Sequence, residues 1–443
     1  MYLRILNLTA MNSEYLLHYI WKNSIFTNFN FQTTAGETVK IIHPGYAHQD
    51  AGPDFKQAII KINQILWAGD VEIHIHTSDW FKHKHHQDPK YNSIILHVVY
   101  EDDLPDVKET KEKFPILELK NYIDQQVIEN YESIYKSTQP LPCKTFIQNK
   151  IEQDNDYLKL IFTHLYSKLI TERLEYKQTQ INKIYTETKG DWNETIFRLL
   201  AINFGFKTNQ SAFELLSKSI PFKVLRNHSN NHLQVYALLF GQSGMLENQL
   251  DEDEYYVTLQ NEYLYLKKKY NLVPIHIKNW NLLRLRPLNF PCIRIAQLCE
   301  IVHHYPQLFS QIENHTEMAQ FEHIFLTKPD PYWEHHYHFG TPSGEHSVLI
   351  GKSTFNLLMI NTIIPVLFAY GAFSGRVDLQ ERSMDLYSVI EAETNHLITK
   401  YKESGFNIAT AFDSQAILHL SKHYCQPKKC LDCTLGQKII SMC

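Results

Sequence analysis

Residues 43–80 read HPGYAHQDAGPDFKQAIIKINQILWAGDVEIHIHTSDW, and this stretch determines the fold of the first part of the chain. Within it, residues 56–62 and 65–76 have strand character and are separated by a turn signal, which predicts two neighbouring strands. Successive side chains of a strand point to opposite faces. The segment 70–76 should therefore place its polar side chains on one face and its apolar side chains on the other. The polar residues are Asp70, Glu72, His74 and His76.

The sequence around this stretch alternates between helical and extended patterns. Apolar residues at helical spacing predict a helix over 14–22, and Ser78 is placed to cap a short helix before the next strand. Mixed helices and strands define an α/β or α+β module, so residues 11–136 are expected to form the first domain. The other elements predicted for it are strands at 38–43, 93–100 and 114–119 and a helix over 123–136.

The pattern becomes helical after a proline-containing linker at 137–143. Residues 144–443 are expected to form a second, mainly α-helical domain that includes a C-terminal cysteine cluster. The longest apolar run, 355–373, contains Asn and Pro residues, which favour a buried core helix over a membrane span. The clearest helical segments are 157–175, 192–204, 212–219, 233–241, 255–270 and 294–304.

Composition narrows the class of protein. The chain has 443 residues, of which 44% are hydrophobic, enough for two or three domain cores. A formal net charge of −5 gives no global basic field, so a nucleic-acid ligand would need a local basic groove. The N-terminal residues do not have the pattern of a signal peptide, and we expect a cytoplasmic protein without membrane association. The motifs of P-loop NTPases, nucleophile-elbow serine hydrolases and zincins do not occur in the sequence.

Three residues of the opening stretch are candidates for chemistry. Asp54 follows Pro53 just ahead of the first strand, and Glu72 and His74 lie on the polar face of the second. A rigid sheet holds such side chains a few ångströms apart, and carboxylate oxygens are the ligands that hard divalent cations prefer. We expect Asp54 and Glu72 to share one divalent ion, with His74 acting as a base or as a ligand.

This arrangement resembles the PD-(D/E)xK nuclease superfamily, in which an Asp at the start of one strand and an acid-x-Lys on the next hold Mg²⁺ and orient a water. The resemblance implies Mg²⁺ or Mn²⁺ as the catalytic metal, and Glu14 on the preceding helix as a further acid. The sequence departs from the superfamily at His74, where lysine is usual. A neutral imidazole lacks lysine's fixed positive charge, which Lys56 or Lys82 would have to replace in an enzyme.

A structural interpretation of the same residues is also open. The polar face of the strand would then simply meet solvent, with Asp54 capping a turn. Asp79 is expected to be a first-turn acid stabilised by the helix dipole. The nearby histidines are expected to be surface or hydrogen-bonded residues and not ligands, namely His76, His83, His85, His86 and His97.

A second resemblance covers nearly the whole chain. It is carried by GPDF (52–55), GDVEIHIHTSDW (69–80), HKHHQDPKYNSIILHVVY (83–100) and LRLRPLNFPCIRIAQL (283–298). Together these segments resemble the bacterial family known as domain of unknown function 2851. That family implies no established activity.

Three of the seven cysteines lie near the C-terminus in a C-x₄-C-x₂-C spacing, at Cys425, Cys430 and Cys433. An odd number of clustered cysteines suits a reducing compartment and a metal site better than a disulfide framework. The spacing favours Zn²⁺ or an iron–sulfur cluster that ties the C-terminal tail to the helical domain, and reduced thiols without metal are the alternative. Some PD-(D/E)xK nucleases also carry such a trio, completed by a distant cysteine. The candidates for a fourth ligand are Cys443, His423, Cys143, Cys292 and Cys299.

Arg284, Arg286 and Arg294 lie just before and at the start of a predicted helix. Guanidinium groups bind phosphate oxygens in bidentate fashion, so these residues are candidate contacts to DNA or RNA. Arginines also cap helices and cover apolar surface, which is the structural alternative.

Two functions from different classes follow from these residues. One is a metal-dependent nuclease or other phosphodiesterase, a hydrolase that uses water as its nucleophile. The other is a non-catalytic module that keeps a nuclease-like sheet and binds nucleic acid or protein. His74 discriminates between them, because a non-catalytic protein has no need of the lysine charge.

Overall fold

The computed structural model of the chain describes residues 13–48, 50–104, 114–248, 250, 252–283 and 285–441. These residues form two compact units. Unit 1 comprises the described residues of Met1–Leu165, Glu403–Phe406 and Leu420–Cys443. Unit 2 comprises Tyr166–Lys402 and Asn407–His419.

Unit 1 is built on a seven-stranded mixed sheet. Its strands are β1 (Phe31–Gln32), β2 (Thr38–His43), β3 (Tyr46–Ala47), β4 (Phe55–Ile62), β5 (Ile65–His76), β6 (Ile94–Glu101) and β7 (Ile116–Glu118). The order across the sheet is β1-β2-β4-β5-β6-β7, with β3 paired to β4. Pairing is antiparallel up to β5 and parallel from β5 to β7. The predicted strands are confirmed to within two residues at each end.

The α-helices of the described chain surround this sheet or form unit 2. In chain order they are α1 (Ser13–Asn23), α2 (Asp79–Lys82), α3 (Gln125–Tyr135), α4 (Lys144–Gln153), α5 (Asn155–Glu187), α6 (Trp192–Phe204), α7 (Gln210–Ser219), α8 (Phe222–Asn227), α9 (His232–Gln242), α10 (Glu254–Tyr270), α11 (Pro291–His304), α12 (Leu308–Asn314), α13 (Met318–Phe325), α14 (Lys352–Leu358), α15 (Ile364–Ser374), α16 (Val377–Val389), α17 (His396–Glu403), α18 (Ala411–Leu420) and α19 (Thr434–Ile440). The expectation of a sheet-containing N-terminal part followed by a mainly helical part is confirmed.

The apolar face of β5 forms the core of unit 1. Val71, Ile73 and Ile75 are buried in one cluster with Ile20 and Trp21 of α1. Burying this face drives α1 onto the sheet, because each large apolar side chain removed from water contributes about 1.5–3 kcal/mol. The alternation predicted for β5 is therefore realised, and its polar side chains lie on the opposite face.

The connection from β5 to β6 determines what covers that opposite face. Parallel strands cannot be joined by a tight turn and need a crossover connection. Here the crossover consists of α2 and two short 3₁₀ turns, His85–Gln87 and Pro89–Tyr91. In the second turn Asp88 accepts a hydrogen bond from the backbone N–H of Lys90. This connection carries the histidine-rich sequence over the polar face of β5.

The C-terminal segment lies in unit 1, although the sequence assigned it to the helical domain at 144–443. Leu431 and Ile440 are buried in the same core cluster as the sheet residues. The side-chain amide of Asn130 in α3 donates to the backbone oxygen of Ile439 at 3.1 Å. The burial of these apolar residues against α3 and the sheet explains the difference. The passage from unit 1 to unit 2 falls within α5, after Leu165, and not at the linker 137–143.

The apolar run 355–373 forms one continuous helical stretch of unit 2. It consists of α14, a π-helical turn at Met359–Ile363 and α15. Pro365 has no N–H to donate to the preceding turn, and Tyr387 Oη donates a hydrogen bond to Ile360 O at 2.8 Å. The stretch 352–374 is long and apolar enough to span a membrane, but 67% of its most apolar window is buried inside the structure. This burial agrees with the expected core helix.

Candidate active site

The pairing register of β4 and β5 places Asp54 beside Glu72. Phe55 pairs with Val71 in this antiparallel pair, so Asp54, one residue earlier, lies opposite Glu72. Glu72 Oε2 accepts a hydrogen bond from the backbone N–H of Asp54 at 3.1 Å, and Asp54 Oδ2 accepts one from Ile73 N–H at 3.0 Å. These reciprocal hydrogen bonds hold both carboxylates at one position on the sheet.

A β-bulge in β4 supports this arrangement. The register between the strands shifts between Phe55 and Ala58, and Gln57 adopts a positive φ of 59°. The N–H of Gln57 donates to Asp70 Oδ1 at 3.0 Å, which compensates part of the disrupted ladder. Bulges redirect side chains and are common beside active sites. Asp70 therefore supports the bulge and is not among the candidate ligands.

Helix α1 adds two further titratable groups. Glu14 and His18 are four residues apart and so share one face of the helix. His18 Nε2 lies 3.2 Å from Asp54 Oδ2. Burial raises the pKa of Glu14, whose charged neighbours include His83 and Asp54. The sequence-predicted acid Glu14 thus lies in the electrostatic neighbourhood of Asp54.

His74 lies at the centre of a histidine cluster. Its Nδ1 is 2.9 Å from His97 Nε2, and its Nε2 is 3.2 Å from His83 Nδ1 and 3.6 Å from Glu72 Oε1. His85 approaches the same carboxylate oxygen, with Nε2 at 3.2 Å from Glu72 Oε1. Four imidazoles and one carboxylate therefore form a continuous polar cluster.

The inner part of this cluster is enclosed, whereas His83 is exposed and His85 is partly exposed. Glu72 and His74 are only 4% and 2% exposed, and His97 is fully buried. The ring of Trp80 in α2 packs edge-on against His74 and His85. The interpretation of β5 as a strand whose polar face meets solvent is therefore wrong at these positions, because the crossover connection covers them.

Burial governs the protonation of the cluster. Burial and, to a smaller extent, the neighbouring Asp54 carboxylate raise the pKa of Glu72 to about 9. Burial and, to a smaller extent, the surrounding histidines lower the pKa of His74 to about 2, and burial is the main cause that lowers the pKa of His97 to about 4. The site thus gathers carboxyl groups and neutral imidazoles, and a bound cation would favour the ionised form of Glu72.

Protein stripped of metal with a chelator is expected to lose stability as the pH rises from 7 to 9. The folded-state pKa of Glu72 lies above its ordinary value of 4.5, so its contribution is present below 4.5 and is lost as the pH rises through about 9. The loss should reach at most about 1.4 kcal/mol per pH unit. His74 has the opposite sign, and its contribution is lost only below its ordinary pKa of 6.5, outside this window.

Urea denaturation at pH 7, 8 and 9 measures this loss. Glu72→Gln has no carboxyl group to titrate and should flatten the dependence, whereas Glu101→Gln, at an exposed ion pair with Lys120, should keep it. Equal slopes for wild type and Glu72→Gln would contradict the assignment.

The lysines proposed to replace the superfamily's lysine do not join the cluster. Lys82 is exposed, and its Nζ binds Asp79 Oδ1 at 2.7 Å. Lys56 lies on β4, partly exposed, and no contact from it to Glu72 or His74 is observed within the described part of the chain. Asp79 lies in the first turn of α2, as expected, and also accepts a hydrogen bond from His76 N–H at 3.0 Å.

Arg286 and Arg294 of unit 2 do not share a surface patch. Arg284 lies outside the described residues, and Arg286 is exposed. Arg294 is only 4% exposed, so its predicted contact to nucleic acid is corrected. Its guanidinium donates to neutral oxygens within unit 2 and packs over the ring of Phe206, which explains why it is withdrawn from solvent.

The C-terminal cysteines have a neighbour from another part of unit 1. Burial raises the pKa of the Cys143 thiol, and the nearby Cys425, Cys433 and Cys430 raise it further. Burial likewise raises the pKa of Cys430 to about 11, with Cys433 as a further cause. Cys143 precedes α4, and its thiol is within electrostatic range of the three C-terminal thiols.

The other candidates for the fourth ligand have different surroundings. Cys292 and Cys299 lie in α11, in the core of unit 2. Cys443 lies outside the described residues. A metal bound by these cysteines was predicted to link the C-terminal segment to the helical domain. This prediction is corrected, because the segment that carries the cysteines belongs to unit 1.

His18 is not among the site residues predicted from the sequence, and His83 and His85 were expected to be surface or hydrogen-bonded histidines. For His18 a signal existed in its spacing of four from Glu14, which puts both on one helix face. For His83 and His85 the signal was their density after α2. The expectation that His97 is a hydrogen-bonded histidine is confirmed by its contact with His74.

Comparison with known proteins identifies the family of the chain. A family model described as "Protein of unknown function (DUF2851)" matches residues 14–396, and the chain belongs to this family. No curated protein and no solved structure matches it.

Proposed function

We propose that unit 1 is a metal-dependent phosphodiesterase that cleaves DNA or RNA, with Asp54 and Glu72 as ligands of a catalytic Mn²⁺ or Mg²⁺. One observation carries this proposal, a reciprocal pair of hydrogen bonds. The N–H of Asp54 donates to the Glu72 carboxylate, and the N–H of Ile73 in β5 donates to the Asp54 carboxylate. Two acids held on adjacent strands of a mixed sheet are the arrangement of the PD-(D/E)xK nucleases that this sequence resembles.

The residues present fit a divalent cation. The raised pKa of Glu72 reports a carboxyl group whose negative charge is poorly compensated where it lies, and Asp54 adds a second acid beside it. When bound there, the ion would lower the pKa of a water molecule and offset charge on a phosphate. No cationic side chain of the described residues contacts Glu72, so a cation accounts for the cluster of acids better than a structural role does.

Side chains of the protein itself would position the ligands and exchange the proton of the water. The hydrogen bond from Ile73 N–H and the approach of His18 hold the Asp54 carboxylate in place beside Glu72. Glu14, with its raised pKa, is placed as a further acid to hold or accept a proton from water. His74 is neutral over the working pH range and so acts as a ligand and not as a substitute for the lysine charge.

The test is a cleavage assay with protein freed of metal by a chelator. Mn²⁺ is expected to restore cleavage of single- or double-stranded DNA or RNA, and EDTA should abolish it. Binding of nucleic acid without cleavage under any divalent ion would favour the non-catalytic module. Absence of both would overturn the proposal.

We further propose that Cys143, Cys425, Cys430 and Cys433 hold Zn²⁺ or an iron–sulfur cluster with a structural role. Thiols whose pKa values are raised by burial and by one another do not ionise together without a cation, whereas a bound metal deprotonates a thiol outright. Soft thiolates select zinc or iron–sulfur clusters. Location in the cytoplasm is compatible with reduced cysteines and remains part of this proposal.

A further inference from the structure

Four metal-ligand side chains converge beside Asp54. They are Glu72, His74, His83 and His85. The ligand atoms of the three histidines lie within 4.8 Å of one another. Two of these imidazoles also approach one oxygen of Glu72, at 3.6 Å from His74 Nε2 and 3.2 Å from His85 Nε2.

We propose that these four side chains bind a first-row transition-metal ion in preference to Mg²⁺. The inference deepens the proposed function, on which it rests for the use of the metal in catalysis. Metal–ligand bonds of about 2.0–2.1 Å in tetrahedral geometry place neighbouring ligand atoms about 3.4 Å apart. The 3.2 Å between His74 Nε2 and His83 Nδ1, and the 3.2 and 3.6 Å to Glu72 Oε1, match such edges.

The chemistry of the donors determines the class of metal. Mg²⁺ takes oxygen ligands in near-ideal octahedral geometry and keeps several waters. Imidazole nitrogen suits zinc, iron, copper and nickel, and mixed histidine–carboxylate sets are typical of transition-metal centres. Three clustered imidazoles, two of them beside one carboxylate oxygen, therefore discriminate against Mg²⁺. Mn²⁺ also accepts oxygen ligands, so it is compatible with both Glu72 and Asp54.

The surroundings of His74 position it for such a role. His97 Nε2 lies 2.9 Å from His74 Nδ1, which assigns that nitrogen to a hydrogen bond and leaves Nε2 facing His83 and Glu72. Histidine ligands of metals typically have their second nitrogen held by a neighbouring group in this way. His97 is thus a positioning residue for His74.

A hydrogen-bonded histidine cluster without metal is the competing account. His83 would donate to His74 Nε2, and His74 would donate to His97. In that account His85 Nε2 would donate a separate hydrogen bond to Glu72 Oε1, at 3.2 Å. A metal ion accounts for all four side chains at once.

The experiment measures Mn²⁺ binding to chelator-treated protein by electron paramagnetic resonance. Mn²⁺ avoids thiolate ligands, so the cysteines do not interfere. We expect one bound Mn²⁺ whose spectrum shows coupling to imidazole nitrogen and which a 100-fold excess of Mg²⁺ does not displace. His85→Ala should weaken binding at least 10-fold. His86→Ala removes an exposed histidine of the same segment and should leave binding unchanged.

The outcomes separate this inference from the proposed function. Displacement by equimolar Mg²⁺, absence of nitrogen coupling, or equal losses in His85→Ala and His86→Ala would overturn the histidine site, even if Mg²⁺-dependent cleavage is found. Tight Mn²⁺ binding with nitrogen coupling but without cleavage would uphold the site and refute the nuclease.

Discussion

Replacing Asp54 with Asn or Glu72 with Gln is expected to lower Mn²⁺-dependent cleavage by about 1,000-fold or more. A catalytic metal contributes several kcal/mol to stabilisation of the transition state, and each 1.4 kcal/mol corresponds to a factor of ten in rate. Both variants keep a side-chain oxygen that accepts the same backbone hydrogen bond, from Ile73 N–H or Asp54 N–H. The loss should therefore arise from the missing charge and not from unfolding.

Glu101→Gln is the matched control, because Glu101 is a carboxylate of the same sheet that pairs with Lys120 at 2.6 Å and is well exposed. Its cleavage rate should equal that of the wild type. Circular dichroism and thermal melting establish that all variants are folded. Wild-type rates in both Asp54→Asn and Glu72→Gln would place any hydrolytic chemistry elsewhere in the molecule.

The sheet of unit 1 was predictable because its strands carry strong local signals. The alternation of apolar and polar residues over 70–76 determined which side chains of β5 face the core, and turn signals on either side marked the ends of the strand. The register against β4 then followed from the short turn between them, and it brought Asp54 opposite Glu72. Local pattern and long-range pairing agree here, which is why the position of the two acids could be anticipated.

The enclosure of the site could not be predicted from the same signals. Glu72 and His74 look like residues of a solvated face in sequence, and their burial depends on the crossover connection that folds back over β5. The sequence around His83 and His85 does not show on which face of the sheet their side chains lie. The connection crosses the sheet because β5 and β6 pair in parallel, and parallel strands need a crossover connection.

The predicted boundary between the two domains differs from the observed one for a related reason. Proline-rich residues at 137–143 resemble a linker, yet α4 and the first part of α5 belong to unit 1. Phe162 of α5 stacks on Phe406 at 5.0 Å, a contact across 244 residues of sequence that no local pattern reveals. The return of Leu420–Cys443 to unit 1 is equally non-local, and it changes which core the cysteines would stabilise.

Replacing Cys430 and Cys433 together with Ser is expected to remove a bound metal and to lower the melting temperature by about 5 °C or more. The reason is that a metal bound by these cysteines and Cys143 would cross-link two segments that are distant in sequence, in addition to the apolar contacts of Leu431 and Ile440. A loss of about 2 kcal/mol suffices for that shift in a protein part of this size.

The same loss is expected for Cys143→Ser, since its thiol comes from the distant segment that completes the set of four sulfurs. Cys443→Ser tests the other candidate and should retain the metal, as should Cys299→Ala in the core of unit 2. Zinc, iron and sulfide are measured on protein purified without oxygen. Wild-type protein without any of the three would leave the four cysteines as reduced thiols, and loss of metal in Cys443→Ser but not in Cys143→Ser would assign the fourth ligand to the C-terminal residue.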